Sequence, residues 1–372
     1  MADQLSHDPA YRAVDRDDFM AMIEVARYGQ RCDAFDSIIS ETESHFWDPA
    51  DPRYLDYAAE FPLESDTLMP SEFFPEFHCA IAERLDDGQK IALSNELTRF
   101  SLSQILHGEQ GALSLSASLC LILWDPGAQE YAANQAREEA RHVNAFSRYI
   151  ARRFGEPLPV GTVMGGFFRE IVLAPEVYKK LIGMQMMVEG FAMGAFATMH
   201  AKTRDPLLRR VIQLVMTDEA FHHNFGRIWA RLTLPRLSEA EHERVERWAE
   251  TSFLTLLGNI MGPEQKQAIY ARFGIDAQWA AGAIAESFTD SVRRKAMSRS
   301  TNAFRVLIRT LLHAGIIGER TRATYARWVD LDALQREGPG LAEAAQVAEE
   351  SLAELRELNR GRRKLGATAL RS

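Results

Sequence analysis

The sequence has only three cysteines, Cys32, Cys79 and Cys120, far apart and without Cys-x-x-Cys spacing. That excludes a disulfide framework and a thiolate metal site. Runs of alternating β-branched residues are missing, so a sheet is not expected. Positive charge is not in excess: the formal net charge is −9, which argues against a general nucleic-acid binder. No continuous apolar run approaches the ~18 residues of a membrane span, and the longest, at 119–124, reads as part of a buried helix. The N-terminus lacks the basic-then-apolar order of a signal peptide, and no glycine-rich dinucleotide fingerprint is present. The expectation is a cytoplasmic protein without a membrane or nucleic-acid partner. What remains is ordinary globular material: 372 residues, 46% hydrophobic and 26% charged, which is neither a disordered chain nor a rod.

From about residue 90 the apolar pattern is helical almost without interruption. Asp125-Pro126 and Asp205-Pro206 each read as an N-cap followed by proline at the first helical position. Gly155 and Leu234-Pro235 read as stops. The pattern predicts a first helix from about 90 through the apolar run after Glu109, then helices from 126 to 154, 175 to 203 and 206 to 233, with a looser crossover at 156–174. Two antiparallel pairs joined by one longer connection make a four-helix bundle. Ser238 and Glu241 form a capping box that opens another helix, and further helices are expected near 263–273, 277–297, 301–315, 319–329 and 340–359. The first 85 residues are broken by prolines, although 17–40 has helical character, and the aromatic stretch 41–78 should lie against the bundle rather than in water. The basic tail Arg360-Gly361-Arg362-Arg363-Lys364 reads as a frayed, solvated end. The chain thus divides into an arm (1–89), an all-α core (90–235) and a C-terminal helical extension (236–372).

Glu139-Ala-Arg-His142 lies midway along the second predicted helix and Glu219-Ala-Phe-His222 midway along the fourth. Residues i and i+3 share a helix face, so each pair aims a carboxylate and an imidazole at one point. The pattern alone is weak, because ten histidines yield about one such match by chance. Glu239-Ala-Glu-His242 is such a match, in the first turn of a helix where acids suit the dipole. The other two stand out through their partners. Glu109 and Glu189 are mid-helix acids in apolar, small-residue surroundings, each thirty residues before the Glu of the following motif. In up-down helix pairs all four carboxylates reach similar depth. Buried together and ionised they would repel severely. Two multivalent cations remove that problem, and one Glu from each of two helices plus Glu-x-x-His from each of the others is the di-iron or di-manganese arrangement. The expected ligands are Glu109, Glu139, His142, Glu189, Glu219 and His222. His223, one turn after Glu219, is an additional candidate.

These motifs resemble the ferritin-like superfamily, in its ribonucleotide-reductase-small-subunit-like and oxygenase branch, over about residues 90–232. Glu138-Glu-Ala-Arg-His142 and Asp218-Glu-Ala-Phe-His222 look like the paired acidic-Glu-x-Arg-His repeats of that branch. The resemblance implies that Glu138 and Asp218 each orient the imidazole of the opposite motif. Phe221 departs from it, since arginine is usual there. A likeness to arylamine N-oxygenases is incomplete, because their additional histidine position is Val215 here. Phe146 stands where radical-generating subunits usually carry tyrosine; Tyr131 and Tyr149 lie elsewhere on that helix.

The expected function is that of an O2-activating non-haem diiron oxidase or oxygenase acting on a small organic substrate by hydroxylation, desaturation or N-oxygenation. It would hold two iron ions, with a Mn/Fe pair left open, and draw electrons from an external donor. A homodimer is also left open. The alternatives are a ferroxidase or peroxide-scavenging relative of ferritin, and a Mn/Fe or radical-generating oxidase. Met186, Met193, Phe146 and Phe196 are candidates for a substrate pocket, or else plain core. The small residues Gly111, Ala112, Gly190 and Gly194 either make room for substrate or let helices pack closely. The arm would enclose a pocket if it covered the metal end of the bundle, and act as a strap if it packed elsewhere.

Overall fold

The structure, a computed structural model, describes residues 6–42, 44–261, 263–340 and 342–369. Among them the fold is all-α, with only isolated bridges joining Ala13 to Asp8 and to Leu123. Helices of eight residues or more are α1 (Asp87–Leu119), α2 (Pro126–Phe154), α3 (Thr162–Leu173), α4 (Val177–Lys202), α5 (Pro206–Thr233), α6 (Glu239–Met261), α7 (Ala277–Ser287), α8 (Asp290–Met297), α9 (Ala303–His313) and α10 (Ala342–Ala369).

Local chemistry explains the ends of the long helices. Asp86 and Gln89 form a capping box that starts α1 a few residues earlier than the apolar pattern suggests. Asp125 accepts from the amides of Gly127 and Ala128, and Asp205 from that of Leu207, each with proline at the first helical position. Gly155 ends α2 with φ of 85°, a left-handed conformation that costs glycine little. Both caps have a second task. Asp125 pairs with Arg12 of the arm at 2.6 Å, and Asp205 holds Tyr149 and Arg153 of α2.

Helices α1 and α2 run antiparallel: Gln129 donates to Cys120 O at one end, and Arg99 to Glu156 O at the other. Helix α5 doubles back on α4, where Arg209 reaches the carbonyls of His200 and Thr203. The predicted looser crossover contains α3, an apolar helix that buries Phe167, Phe168 and Ile171. Phe168 lies over Gly111 of α1. The predicted third helix is present as α4 but is not regular. Residues Ile182–Val188 form a π-helical stretch, in which the Glu189 amide bonds the Met184 carbonyl five residues back. Such an inserted residue rotates the helix before it relative to Glu189. Helix α4 is also long and apolar enough to cross a membrane, although polar residues interrupt it; 72% of its most apolar window is buried in the protein.

Elsewhere the boundaries shift. Residues 17–40 form only the short helices Phe19–Met22, Val25–Tyr28 and Asp36–Glu41, with a 3-10 turn at Asp33–Phe35. The stretch predicted at 277–297 splits into α7 and α8, because Thr289 caps a new start by accepting from Val292 N. The last helix runs on through Arg360 to Ala369 in its backbone; the side chains of 361–369 lie outside the described residues, so the basic character of the tail has no structural account. Helix α10 closes the arm onto α5: Arg210 pairs with Glu354, Tyr54 donates to Asn359, and Asn359 donates to Phe46 O. Helix α9 packs so closely on α4 that a Cβ on Gly194 would lie 2.7 Å from Ala303 Cα.

Candidate metal centre

Helices α1, α2, α4 and α5 each send a carboxylate to one place. Glu109, Glu139, Glu189, Glu219, His142 and His222 are all buried, none more than 7% exposed. They form two overlapping groups, Glu109 with Glu139, His142 and Glu219, and Glu139 with Glu189 and His222, that could each hold a metal ion. Glu139 is common to both. Its Oε2 lies 3.2 Å from His142 Nδ1 and its Oε1 lies 3.1 Å from His222 Nδ1. Glu219 Oε1 stands between the same two nitrogens, at 3.3 and 3.5 Å. Glu109 belongs to the His142 side, with Oε2 3.1 Å from Nδ1. The sequence-derived ligand set is therefore brought together whole.

The far nitrogens of both imidazoles are held in a crossed arrangement. His142 Nε2 lies 3.0 Å from Asp218 Oδ2, and His222 Nε2 lies 2.9 Å from Glu138 Oε2. Each acid therefore faces the histidine of the other motif. Asp218 Oδ2 also accepts from Arg141 at 2.9 Å and from Trp47 Nε1 at 2.8 Å. Glu138 Oε1 accepts from His45 Nε2 at 2.9 Å.

Charge explains why such a cluster needs cations. Burial, reinforced by Glu219 and Glu139, pushes the Glu109 carboxyl up to about 8 although His142 opposes it. Burial beside Glu219 raises Glu189 well above the usual range. For Glu139 burial works in the same direction, but His222 and His142 outweigh it and hold it low. Burial opposes charge on His142 and His222 as well, yet the surrounding carboxylates raise both well above the ordinary imidazole value. Protons thus carry the positive charge that the carboxylates demand. Glu189 Oε2 and Glu219 Oε2 are buried without any hydrogen-bond partner, at a cost of a few kcal/mol for each such group. A hard or borderline cation bound by oxygen and imidazole nitrogen fits this donor set.

His223 is not brought into the cluster. Its Nε2 lies 3.1 Å from Thr310 Oγ1 on α9, and Thr310 in turn donates to Val306 O. One residue after His222, His223 sits about 100° further round α5, on the side where α9 approaches and offers Thr310. His242 also stays away, paired with Glu246 at 3.0 Å. Phe146, Met186, Met193 and Phe196 are buried core residues, with Phe146 and Phe196 rings 6.1 Å apart. Two cavities, of about 270 Å³ between α3 and α6 and about 560 Å³ beside Trp328, lie elsewhere. The small residues serve packing: Gly111 admits Phe168, Gly190 admits Thr310 and Gly194 admits Ala303.

Four participants escaped the sequence reading. Gln135 donates to Glu189 Oε1 at 2.9 Å and to Glu139 Oε1 at 3.3 Å, and Gln185 donates to Gln135 Oε1 at 3.3 Å. Gln135 precedes Glu139 by four, so a polar residue on that inner face was a usable signal. His45 and Trp47 come from the arm, where no periodicity marks them. Gln185 sits in the π-helical stretch, which no sequence pattern announced.

The chain matches no family model, no curated protein and no solved structure. The functional reading therefore rests on the cluster and its surroundings.

Proposed function

We propose that this protein is an O2-dependent oxidase or oxygenase with a dinuclear non-haem iron centre in a ferritin-like four-helix bundle, acting on a small organic molecule. The observation that carries it is Glu139, whose two oxygens face two different histidines that belong to repeated Glu-x-x-His motifs. Glu109, Glu139, His142 and Glu219 would hold one metal, and Glu139, Glu189 and His222 the other. Such a centre, when reduced, supplies the electrons that convert O2 into an oxidant.

The protein's own part is positional. Asp218 and Glu138 fix both imidazoles with Nδ1 toward the cluster. Gln135 holds Glu189. The burial of all six side chains keeps bulk water from the site. No nucleotide fingerprint occurs in the sequence, so electrons would come from a separate donor.

One observation favours the iron-handling alternative. The side chains expected to line a substrate pocket are packed as core, and neither cavity is lined by a residue of the cluster. Anaerobic loading with Fe(II), followed by metal analysis and O2 uptake, separates the readings. About two irons per chain with O2 consumption that couples to oxidation of an organic compound supports the enzyme. Uptake far beyond two supports iron handling. A chain that takes up no iron sinks both.

A further inference from the structure

The two metal-facing motifs are near repeats, Glu138-Glu-Ala-Arg-His142 on α2 and Asp218-Glu-Ala-Phe-His222 on α5. Their surroundings are not repeated. In the first, Arg141 crosses to α5 and donates to Asp218 at 2.9 Å, fixing the acid that holds His142. In the second, the equivalent position is Phe221, which has nothing to donate, so the acid that holds His222 should lack its fastener. It does not. His45 of the arm lies flat on the Phe221 ring, with centroids 4.6 Å apart and planes inclined by 6°. From there its Nε2 reaches Glu138 Oε1 at 2.9 Å. The imidazole is completely buried, as are Glu138 and His222. Arg141 does not do the same work, being 3.6 Å from Glu138 and committed to Asp218.

We infer that His45, levelled by Phe221, is the positioning residue that stands in for an arginine at 221: it fixes Glu138, hence His222, and so completes the Glu139–Glu189–His222 metal site. This rests on the dinuclear reading above and extends it. The two sites differ in dependence on the arm. Asp218 keeps its bond from Arg141 whatever the arm does, with Trp47 adding a second and His45 Nε2 standing 3.5 Å from its other oxygen, whereas Glu138 Oε1 takes its hydrogen bond from the arm's His45. Partners that orient a ligating histidine typically change metal affinity 10–100-fold when lost.

The test is a titration of the metal-free full-length chain with Co(II) under anaerobic conditions, followed by calorimetry and by the visible ligand-field bands. Wild type should bind two equivalents. His45→Ala should bind one with near wild-type affinity and the second at least ~10-fold more weakly. His45→Phe keeps an aromatic ring against Phe221 but removes the donor, and should lose the second equivalent in the same way even if the alanine variant fails to fold. His45→Ala combined with Phe221→Arg should recover the second equivalent, a rescue that a merely structural role of His45 would not produce. Two full-affinity equivalents in His45→Phe, or no recovery in a folded double variant, overturns the inference. A wild-type chain that binds no metal overturns the dinuclear reading, and the inference with it.

Discussion

Gln135 Nε2 donates to Glu189 Oε1 at 2.9 Å across the interior between α2 and α4. The bond ties the helix that carries a Glu-x-x-His motif to one that contributes a lone carboxylate, immediately after the π-helical stretch. Gln135→Leu would remove that donor and leave Gln185 Nε2 without its acceptor. We expect a loss of about 1–3 kcal/mol in urea denaturation of the metal-free protein, the usual cost of an unmade buried hydrogen bond. An unchanged midpoint would mean that the two glutamines contribute nothing to holding Glu189.

Glu139→Ala and His142→Ala each remove a side chain from the cluster. Both should retain clearly fewer than two irons per chain after anaerobic loading and desalting, and both should consume O2 at least ~100-fold more slowly, as when first-coordination groups are lost. His242→Ala is the control, since its imidazole is engaged with Glu246 away from the cluster. Full iron content in both cluster variants contradicts the ligand assignment.

Phe146 is buried against Phe196 and has no phenolic proton to lose. Tyr149 is committed to Asp205, 2.7 Å from its hydroxyl. Oxygenation of the iron-loaded protein should therefore give no long-lived tyrosyl signal by rapid-freeze EPR. A stable radical near one per chain would promote the radical-generating alternative. Tyr131, whose buried hydroxyl has no partner, would then be its first candidate, with Tyr131→Phe expected to abolish the signal.

Lys180 is buried near the end of α3, donating to Ser118 and to the Ile171 and Val172 carbonyls. Burial, helped by Arg16, lowers its amine to about 8. Between that value and the ordinary 10.5 the unfolded chain binds the proton and the folded chain does not. The penalty is complete below pH ~8 and disappears as pH rises toward ~10.5. Relative to Lys180→Met, wild type should gain roughly 1–3 kcal/mol across that window in denaturant titrations at successive pH values. Parallel profiles would show that Lys180 stays charged in the fold.

Gly194→Ala places a methyl 2.7 Å from the Ala303 backbone. Helices α4 and α9 must then separate, and we expect destabilisation of about 1–3 kcal/mol by thermal or urea unfolding. If the variant is as stable as wild type, α9 does not sit as closely on α4 as described.

The sequence by itself determined the long helices and the six acid and histidine side chains that gather between them. Asp-Pro caps, the 3.6-residue apolar period and the i, i+3 spacing of Glu139 with His142 and of Glu219 with His222 are all local properties. Matched intervals from Glu109 and Glu189 placed four acids at one depth without any coordinates. Tertiary structure decided what no local pattern encodes. His45 and Trp47 meet Glu138 and Asp218 across sequence separations of 93 and 171 residues, so only the path of an irregular arm brings them there. His223 was turned from a candidate ligand toward Thr310 by the approach of α9, an element that α5 cannot foresee. The aromatic and methionine side chains beside the cluster became core because the helices close on one another over glycine, and whether such residues line a pocket or fill it depends on the distance between helices rather than on their identity.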